Sequence, residues 1–305
     1  FTQDHGIERV LFLGHGANLL FPDEYFDGAI VRLVDGDQPL SPIDVSPTDG
    51  NGTGEHVLVE SYAGETLDRL IQRSFAAGLV GLEWAGGLPG TVGAAVRGNV
   101  GAFGGEIKDV VHQVDVLDTN QEIPRVRSLE PEELNFAYRD SLIKRDCGLV
   151  ALNATFRLKH GDPEDISRAR QVYHDNIAYR ESHHPLDYPN TGSTFKNVAR
   201  AGDVAKVLAV FPDLAPRVAG EWHGKVSMGY LNRRLGFSGY RIGNAAVADK
   251  HCNFILNLGG AQARDVRAII DDIRRRFDET FHFQPEPEIE IIGQEPASTG
   301  APRSS

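Results

Sequence analysis

Hydrophobic and polar positions along this chain fall into two rhythms, one of period two and one of period three to four. Val10–Leu13 (VLFL) is a short apolar run that breaks at Gly14 and Gly16, which predicts a buried strand ending in a turn. AIVRLV, from Ala29, predicts a second short strand, and HVLVESYAG, from His56, a third. Between Glu65 and Ala77 the apolar residues Leu67, Leu70, Ile71 and Phe75 share one helical face, with Gly78 as the stop. VVHQVDVLD (from Val110) and LVALNATFRL (from Leu149) alternate as strands. Pro163 and the acidic residues after it open a helix through Ile166, Ala169, Val172 and Ile177. The strongest helical period is RDVRAIIDDIRRRFDETF, where Val266, Ile269, Ile270, Ile273, Phe277 and Phe281 form one stripe. A core face explains that stripe. The strand EIEIIG, from Glu288, follows it.

Short helices and strands joined by long connections predict an α+β fold. The stretch Asp35–Gly54, rich in Pro, Gly, Asp and Ser, reads as a surface loop, and residues 294–305 as a disordered tail. The break at KHGDPED places a first domain over 1–162 and a second over 163–293.

Composition narrows the function classes. A net charge of −12 disfavours nonspecific nucleic-acid binding, since a phosphate backbone would be repelled by the average surface. Local Arg, Lys and backbone N–H groups can still take a small anion. Cys147 and Cys252 stand apart, so neither a metal nor a redox dithiol is expected, and a reducing, cytoplasmic setting follows. No apolar stretch reaches the ~18 residues that would span a bilayer, and no obligate protein partner is implied.

The chemistry concentrates in a few places. GLPGTVGAAVRGNVGAFGGE, Gly87–Glu106, surrenders side chains at seven glycines, yet Val92, Val96 and Phe103 give it more apolar weight than a linker carries. Sharp turns or close backbone approach to a ligand explain such a run. LGHGAN places a Gly-x-Gly turn straight after a strand, but ANLLFP does not open a helix, which rules out the Rossmann fingerprint. Together the two loops could offer N–H groups to one diphosphate. FAYRDS gathers Tyr138, Arg139 and Ser141; YPNTGSTFKN places Ser193, Lys196 and Asn197 after a flexible Asn-Thr-Gly; PEPEIEIIG sets Glu288 and Glu290 on one face of the last strand. Taken singly, these are an ordinary surface arginine, a turn serine and a charged edge strand.

In sequence order LGHGANLL, the Gly87–Glu106 run, FAYRDS, YPNTGSTFKN, GYRIGNAAVADKHCNFILN and PEPEIEIIG resemble the UDP-N-acetylenolpyruvoylglucosamine reductases. The resemblance extends to Gly293. It implies a vanillyl-alcohol-oxidase-type FAD-binding domain followed by a smaller α+β substrate domain. It also implies noncovalent FAD, NADPH as hydride donor and a UDP-sugar enolpyruvyl ether as substrate. The implied cofactor ligands are Gly14, His15, Gly16, Ala17, Asn18 and Leu19 in the first loop. In the second they are Pro89, Gly90, Thr91, Gly93, Ala94, Asn99, Gly101, Gly104 and Gly105. Tyr138, Lys196 and Asn197 are the implied substrate contacts, and Arg139, Ser193 and Glu288 the catalytic set.

This chain departs from the family pattern where His15 and Ala17 stand in place of Gly and Ser, Val198 in place of Pro and Tyr230 in place of Trp. It begins just before VLFLG, where the family carries a further strand–helix unit, so an incomplete FAD domain is expected. It lacks the inserted tyrosine loop of one subtype. In the implied reaction hydride reaches C3 of the enolpyruvyl group, leaving charge at C2 and its carboxylate. Arg139 would grip the carboxylate, protonated Glu288 would hydrogen-bond to it, and Ser193, helped by Lys196 or water, would protonate C2. Two other readings are an O2-using flavin alcohol or sugar oxidase and a non-catalytic binder of FAD or UDP-sugar.

Overall fold

The computed structural model describes residues 5–7, 9–34 and 56–293, so the Asp35–Gly54 loop and the 294–305 tail lie outside the described residues. The chain divides into two compact units. One runs through Ala17 and from Gly28 to Ser182; the other takes Asn18–Asp27 and the chain from His183 onward.

The first unit is built on an antiparallel sheet. The strand Leu149–His160 lies between His56–Tyr62 and Val111–Asp118, and Arg125–Leu129 pairs with the outer side of Val111–Asp118. Leu79–Val80 pairs with the far end of the long strand. Alternation puts Val57, Val59, Val114, Val116, Ala154, Phe156 and Leu158 in the core, against Leu67, Leu70, Ile71 and Phe75 of the helix Leu67–Ala76. Thr66 caps that helix by accepting from the Arg69 N–H at 3.1 Å, and Gly78 closes it in the left-handed region at φ 77°. A separate parallel pair joins Val10–Leu13, which leads into the first glycine turn, with Ala29–Arg32.

The helix Pro163–His183 belongs to this unit, so the break falls at 182/183 and not at 162/163. Its buried face is Ala169, Tyr173 and Asn176, while Val172, expected inside, is exposed. Tyr173 hydrogen-bonds to Asp68 and packs edge-on to Phe75, and the Asn176 amide donates to the Glu83 carbonyl at 3.1 Å. Proline marked the start of an element there, not the edge of a domain.

In the second unit the helix Ala263–Phe281 buries all six residues of its expected stripe. It packs with the helix Ala201–Val210 and with a small sheet ordered Arg241–Ile242, Ala245–Val247, Ile255–Asn257. Phe195, Val207, Met228 and Leu231 complete the core. The last strand is shorter than the sequence suggested: only Glu290–Ile291 pairs, in parallel, with Leu19–Leu20. Among the described residues no helix is long and apolar enough to cross a membrane, and no group of His, Cys, Asp or Glu could hold a metal ion.

Candidate active site

The first loop keeps its N–H groups unused. Those of Gly14, His15, Gly16 and Ala17 have no hydrogen-bond partner among the described residues, and Gly16 turns the chain at φ 70°. Gly14 meets the second loop directly: a Cβ there would lie 2.5 Å from Thr91 Oγ1. Asn18 and Leu19 also bond to the chain around the last strand. The Asn18 amide donates to the Glu288 carbonyl at 2.9 Å, and Leu19 pairs with Glu290.

The glycine run is not a plain loop. It holds the helix Val92–Arg97 and a hairpin, Gly101–Ala102 with Gly105–Glu106. Several of its glycines permit close packing inside the protein. A Cβ at Gly93 would sit 2.7 Å from that of Ala63, at Gly101 2.7 Å from Glu106, and at Gly105 2.4 Å from Trp84. The Gly93 N–H donates to the Ala63 carbonyl at 2.9 Å. Thr91 is buried and caps Ala94 N–H at 3.4 Å. By contrast Gly90 (φ 121°) and Gly104 (φ 90°) have nothing within 4 Å of a Cβ, and Pro89 and Ala94 are exposed.

Asn99 sits inside the protein. It is fully buried, and its amide donates to Glu106 Oε2 at 3.0 Å and to the Ala137 carbonyl at 2.9 Å while accepting from Lys108 N–H at 3.1 Å. Both its amide atoms are thus engaged inside the protein. What it holds is the turn carrying Arg139. Ala137 and Asp140 exchange backbone bonds at 3.0 and 3.1 Å, leaving Tyr138 and Arg139 at the tip, with Arg139 at φ 57°. A left-handed arginine costs roughly 1–2 kcal/mol and persists only where its surroundings over-determine it. Lys144 Nζ bonds the Arg139 carbonyl at 3.2 Å, and the buried Ser141 hydroxyl donates to Arg97 O at 2.7 Å. Arg139 Nη2 itself donates to Gly101 O at 2.8 Å.

Sequence reasoning missed Arg180. Its Nε donates to Gly86 O at 3.0 Å, its guanidinium lies 5.1 Å from the Phe103 ring centre, and its buried Nη2 has no partner among the described residues. Burial, and then the nearby charge of Arg139, hold its pKa below the usual arginine value. A buried cation near a second cation, with an unfilled donor, is suited to an anionic guest.

In the second unit the segment Thr191–Lys196 is laced to two neighbours. Thr194 N–H donates to Asn253 O at 2.7 Å, and Glu288 N–H donates to Thr194 O at 2.8 Å. Ser193 and Glu288 therefore belong to one local framework. The half-buried Ser193 hydroxyl makes no hydrogen bond among the described residues. Lys196, expected to help Ser193, is committed to Glu286 at 2.5 Å. Asn197 is exposed, and its carbonyl oxygen accepts from Met228 N–H at 3.0 Å, holding the start of the helix Met228–Arg234.

Residues 184–292 match the family model for the C-terminal domain of UDP-N-acetylenolpyruvoylglucosamine reductase, and residues 2–127 match that for an FAD binding domain. The UDP-N-acetylenolpyruvoylglucosamine reductase of Lachnoclostridium phytofermentans is 36% identical over 285 residues, which are 93% of this chain and 79% of that one. The reductase of Caldicellulosiruptor bescii is 37% identical over 298 residues, covering 96% and 79%. The chain belongs to this reductase family. The crystal structure of the Thermus caldophilus reductase superposes with a TM-score of 0.67 at 27% identity, covering 92% of this chain and 85% of that one. In this member of the reductase family, the FAD-binding match takes in both glycine loops. Four unused N–H groups at Gly14–Ala17 and open backbone at Gly90 and Gly104 fit a diphosphate-bearing cofactor.

Proposed function

We propose that this protein is an FAD-dependent UDP-N-acetylmuramate dehydrogenase, reducing the enolpyruvyl ether of UDP-N-acetylglucosamine with NADPH. The observation that carries the reading is the kinship to reductases that spans 93% or more of the chain at 36–37% identity. The oxidase and non-catalytic readings are not favoured, because neither calls for a reductase-type C-terminal domain.

When bound, FAD supplies the hydride relay between NADPH and the substrate. Gly14–Ala17, Pro89, Gly90, Ala94 and Gly104 would hold it through backbone contact. Hydride arrival at C3 of the enolpyruvyl group leaves negative charge on C2 and the attached carboxylate. Arg139 meets that charge with a planar fork of donors, aimed by a turn that Asn99 and Lys144 hold. Arg180, with an unfilled Nη2, adds a second guanidinium for an anionic part of a ligand. The Glu288 carboxyl would hydrogen-bond to the developing aci-carboxylate, and the Ser193 hydroxyl would give its proton to C2 and take one back from water. Tyr138, Lys196 and Asn197 would border the substrate, the last two from the frames they also hold. A reaction between NADPH and a nucleotide sugar would run in the cytoplasm, where both are made.

Substrate-dependent NADPH oxidation tests the activity, and rapid mixing at the flavin band tests the roles. Ser193→Ala should leave flavin reduction by NADPH near the parent rate. It should slow reoxidation by the enolpyruvyl substrate ~10²–10⁴-fold. Equal slowing of both halves would make Ser193 a structural residue.

A further inference from the structure

Nothing among the described residues bonds to the Ser193 hydroxyl, so its place is set by the backbone that carries it. That backbone is held on one side by the chain leading into the last strand. Glu288 N–H donates to Thr194 O at 2.8 Å, and Lys196 N–H to Glu286 O at 3.0 Å. On the other side one residue does most of the holding. Asn253 is 4% exposed and reaches both residues that follow Ser193. Its main-chain carbonyl accepts from Thr194 N–H at 2.7 Å. Its Oδ1 accepts from Phe195 N–H at 3.1 Å, and its Nδ2 donates to Phe195 O at 2.8 Å.

The two amide bonds copy what a neighbouring strand would offer Phe195: one acceptor and one donor, side by side. A carboxamide is the side-chain group that presents both at once; Asp only accepts, and an aliphatic residue does neither. Asn253 is in turn placed by its own N–H, which reaches His251 Nδ1 at 3.3 Å. The next contact along, Ile255 N–H to Thr191 Oγ1 at 3.0 Å, holds the segment on the far side of Ser193. The serine is thus fixed at Thr191 before it and at Thr194 and Phe195 after it.

We infer that Asn253 is a positioning residue for the Ser193 hydroxyl, locking the Thr194–Phe195 backbone so that the proton is delivered to the substrate from one place. The inference rests on Ser193 being the proton donor. It assigns Asn253 no contact with substrate or cofactor. A displacement of about 1 Å in a reacting group can cost ~10²-fold, which sets the size of effect to look for.

Asn253→Ala, the more conservative Asn253→Asp and the double variant Ser193→Ala/Asn253→Ala test this in the FAD-loaded protein. Asn253→Ala should speed amide hydrogen exchange at Phe195 and slow substrate-driven flavin reoxidation about tenfold to hundredfold. Flavin reduction by NADPH should change less than about twofold if Asn253 acts only through Ser193. Asn253→Asp keeps an acceptor for Phe195 N–H but sets a carboxylate oxygen against Phe195 O, so it should slow the same half-reaction at least as much as Asn253→Ala. The double variant should be no slower than Ser193→Ala alone, because there is no longer a hydroxyl to misplace. Equal slowing of both half-reactions, or full additivity in the double variant, would overturn the inference. A damaging Ser193→Ala beside harmless Asn253 variants overturns it while leaving the donor reading intact. A harmless Ser193→Ala removes both. If Asn253→Ala does not fold, the same comparisons made with Asn253→Asp decide.

Discussion

Asn18 holds the chain that carries Glu288. Its amide donates to the Glu288 carbonyl at 2.9 Å, and its own carbonyl accepts from Glu290 N–H at 3.0 Å. The residue directly after the unbonded N–H groups of the first loop is therefore joined to the proposed carboxylic acid's backbone. Asn18→Ala removes the side-chain bond and keeps the backbone pair. Urea denaturation should show a loss of about 1 kcal/mol, and rapid mixing a selective slowing of substrate reduction. An unchanged midpoint and rate would make the side-chain bond incidental.

Gly14→Ala should weaken FAD binding. A methyl there would stand 2.5 Å from Thr91 Oγ1, so one glycine loop must move from the other. Adding Thr91→Ala removes Oγ1 and Cγ2 and leaves only Cβ, at an ordinary 3.4 Å. The double variant should then regain affinity when FAD binding is titrated by fluorescence, less the loss of the Thr91 cap. Failure to regain any would move the cause from crowding to backbone conformation.

Arg180→Met should separate stability from binding. The variant keeps an apolar stem near Phe103 and removes a buried charge that lies close to Arg139. The ligand-free protein should melt no lower than the parent, while affinity for the UDP-sugar substrate, read by calorimetry, should fall at least tenfold. A large drop in melting temperature with unchanged affinity would make Arg180 structural.

His251 gives a pH dependence of defined sign. Burial pushes its imidazole pKa down, and the charges of Arg233 and His183 act the same way. The unfolded chain takes the proton more readily, so stability is full above the ordinary histidine value near 6.5 and declines as the pH falls toward the lower folded value. Melting temperature should drop between pH 7 and 5.5. His251→Asn, which can still accept from Asn253 N–H, should flatten that slope. An identical slope in the variant would assign the titration elsewhere.

Periodic segments were legible from sequence because their signal is repetitive. The six residues of the Ala263–Phe281 stripe and the Leu67–Phe75 face are all buried. The glycine run hid the helix Val92–Arg97 because Gly and Ala write almost no pattern. Local signals also could not tell that Asn99 would be sealed among Glu106, Lys108 and Ala137, the last of them 38 residues away. Arg180 and Asn253 were invisible for the same reason. Their defining partners, Gly86 and Phe195, lie 94 and 58 residues away in the chain. Ser193, Arg139 and Glu288 stood out only as members of an ordered set of motifs, because each alone is an ordinary turn or surface residue.

The excursion of Asn18–Asp27 into the second unit bears on how the chain can be cut and recombined. The Asp23 carboxylate receives the Ala263 and Arg264 N–H groups at the start of the long helix, and Leu19–Leu20 is the strand partner of Glu290–Ile291. A gene segment starting at His183 would encode the second unit without the Asp23 carboxylate at its long helix or its paired strand, and an N-terminal segment ending at Ser182 would carry both away unused. The two units are thus not interchangeable cassettes. Chimeras with related reductases should be viable when the donor of the C-terminal half also supplies residues 18–27, and should aggregate when the swap is made at residue 183 alone.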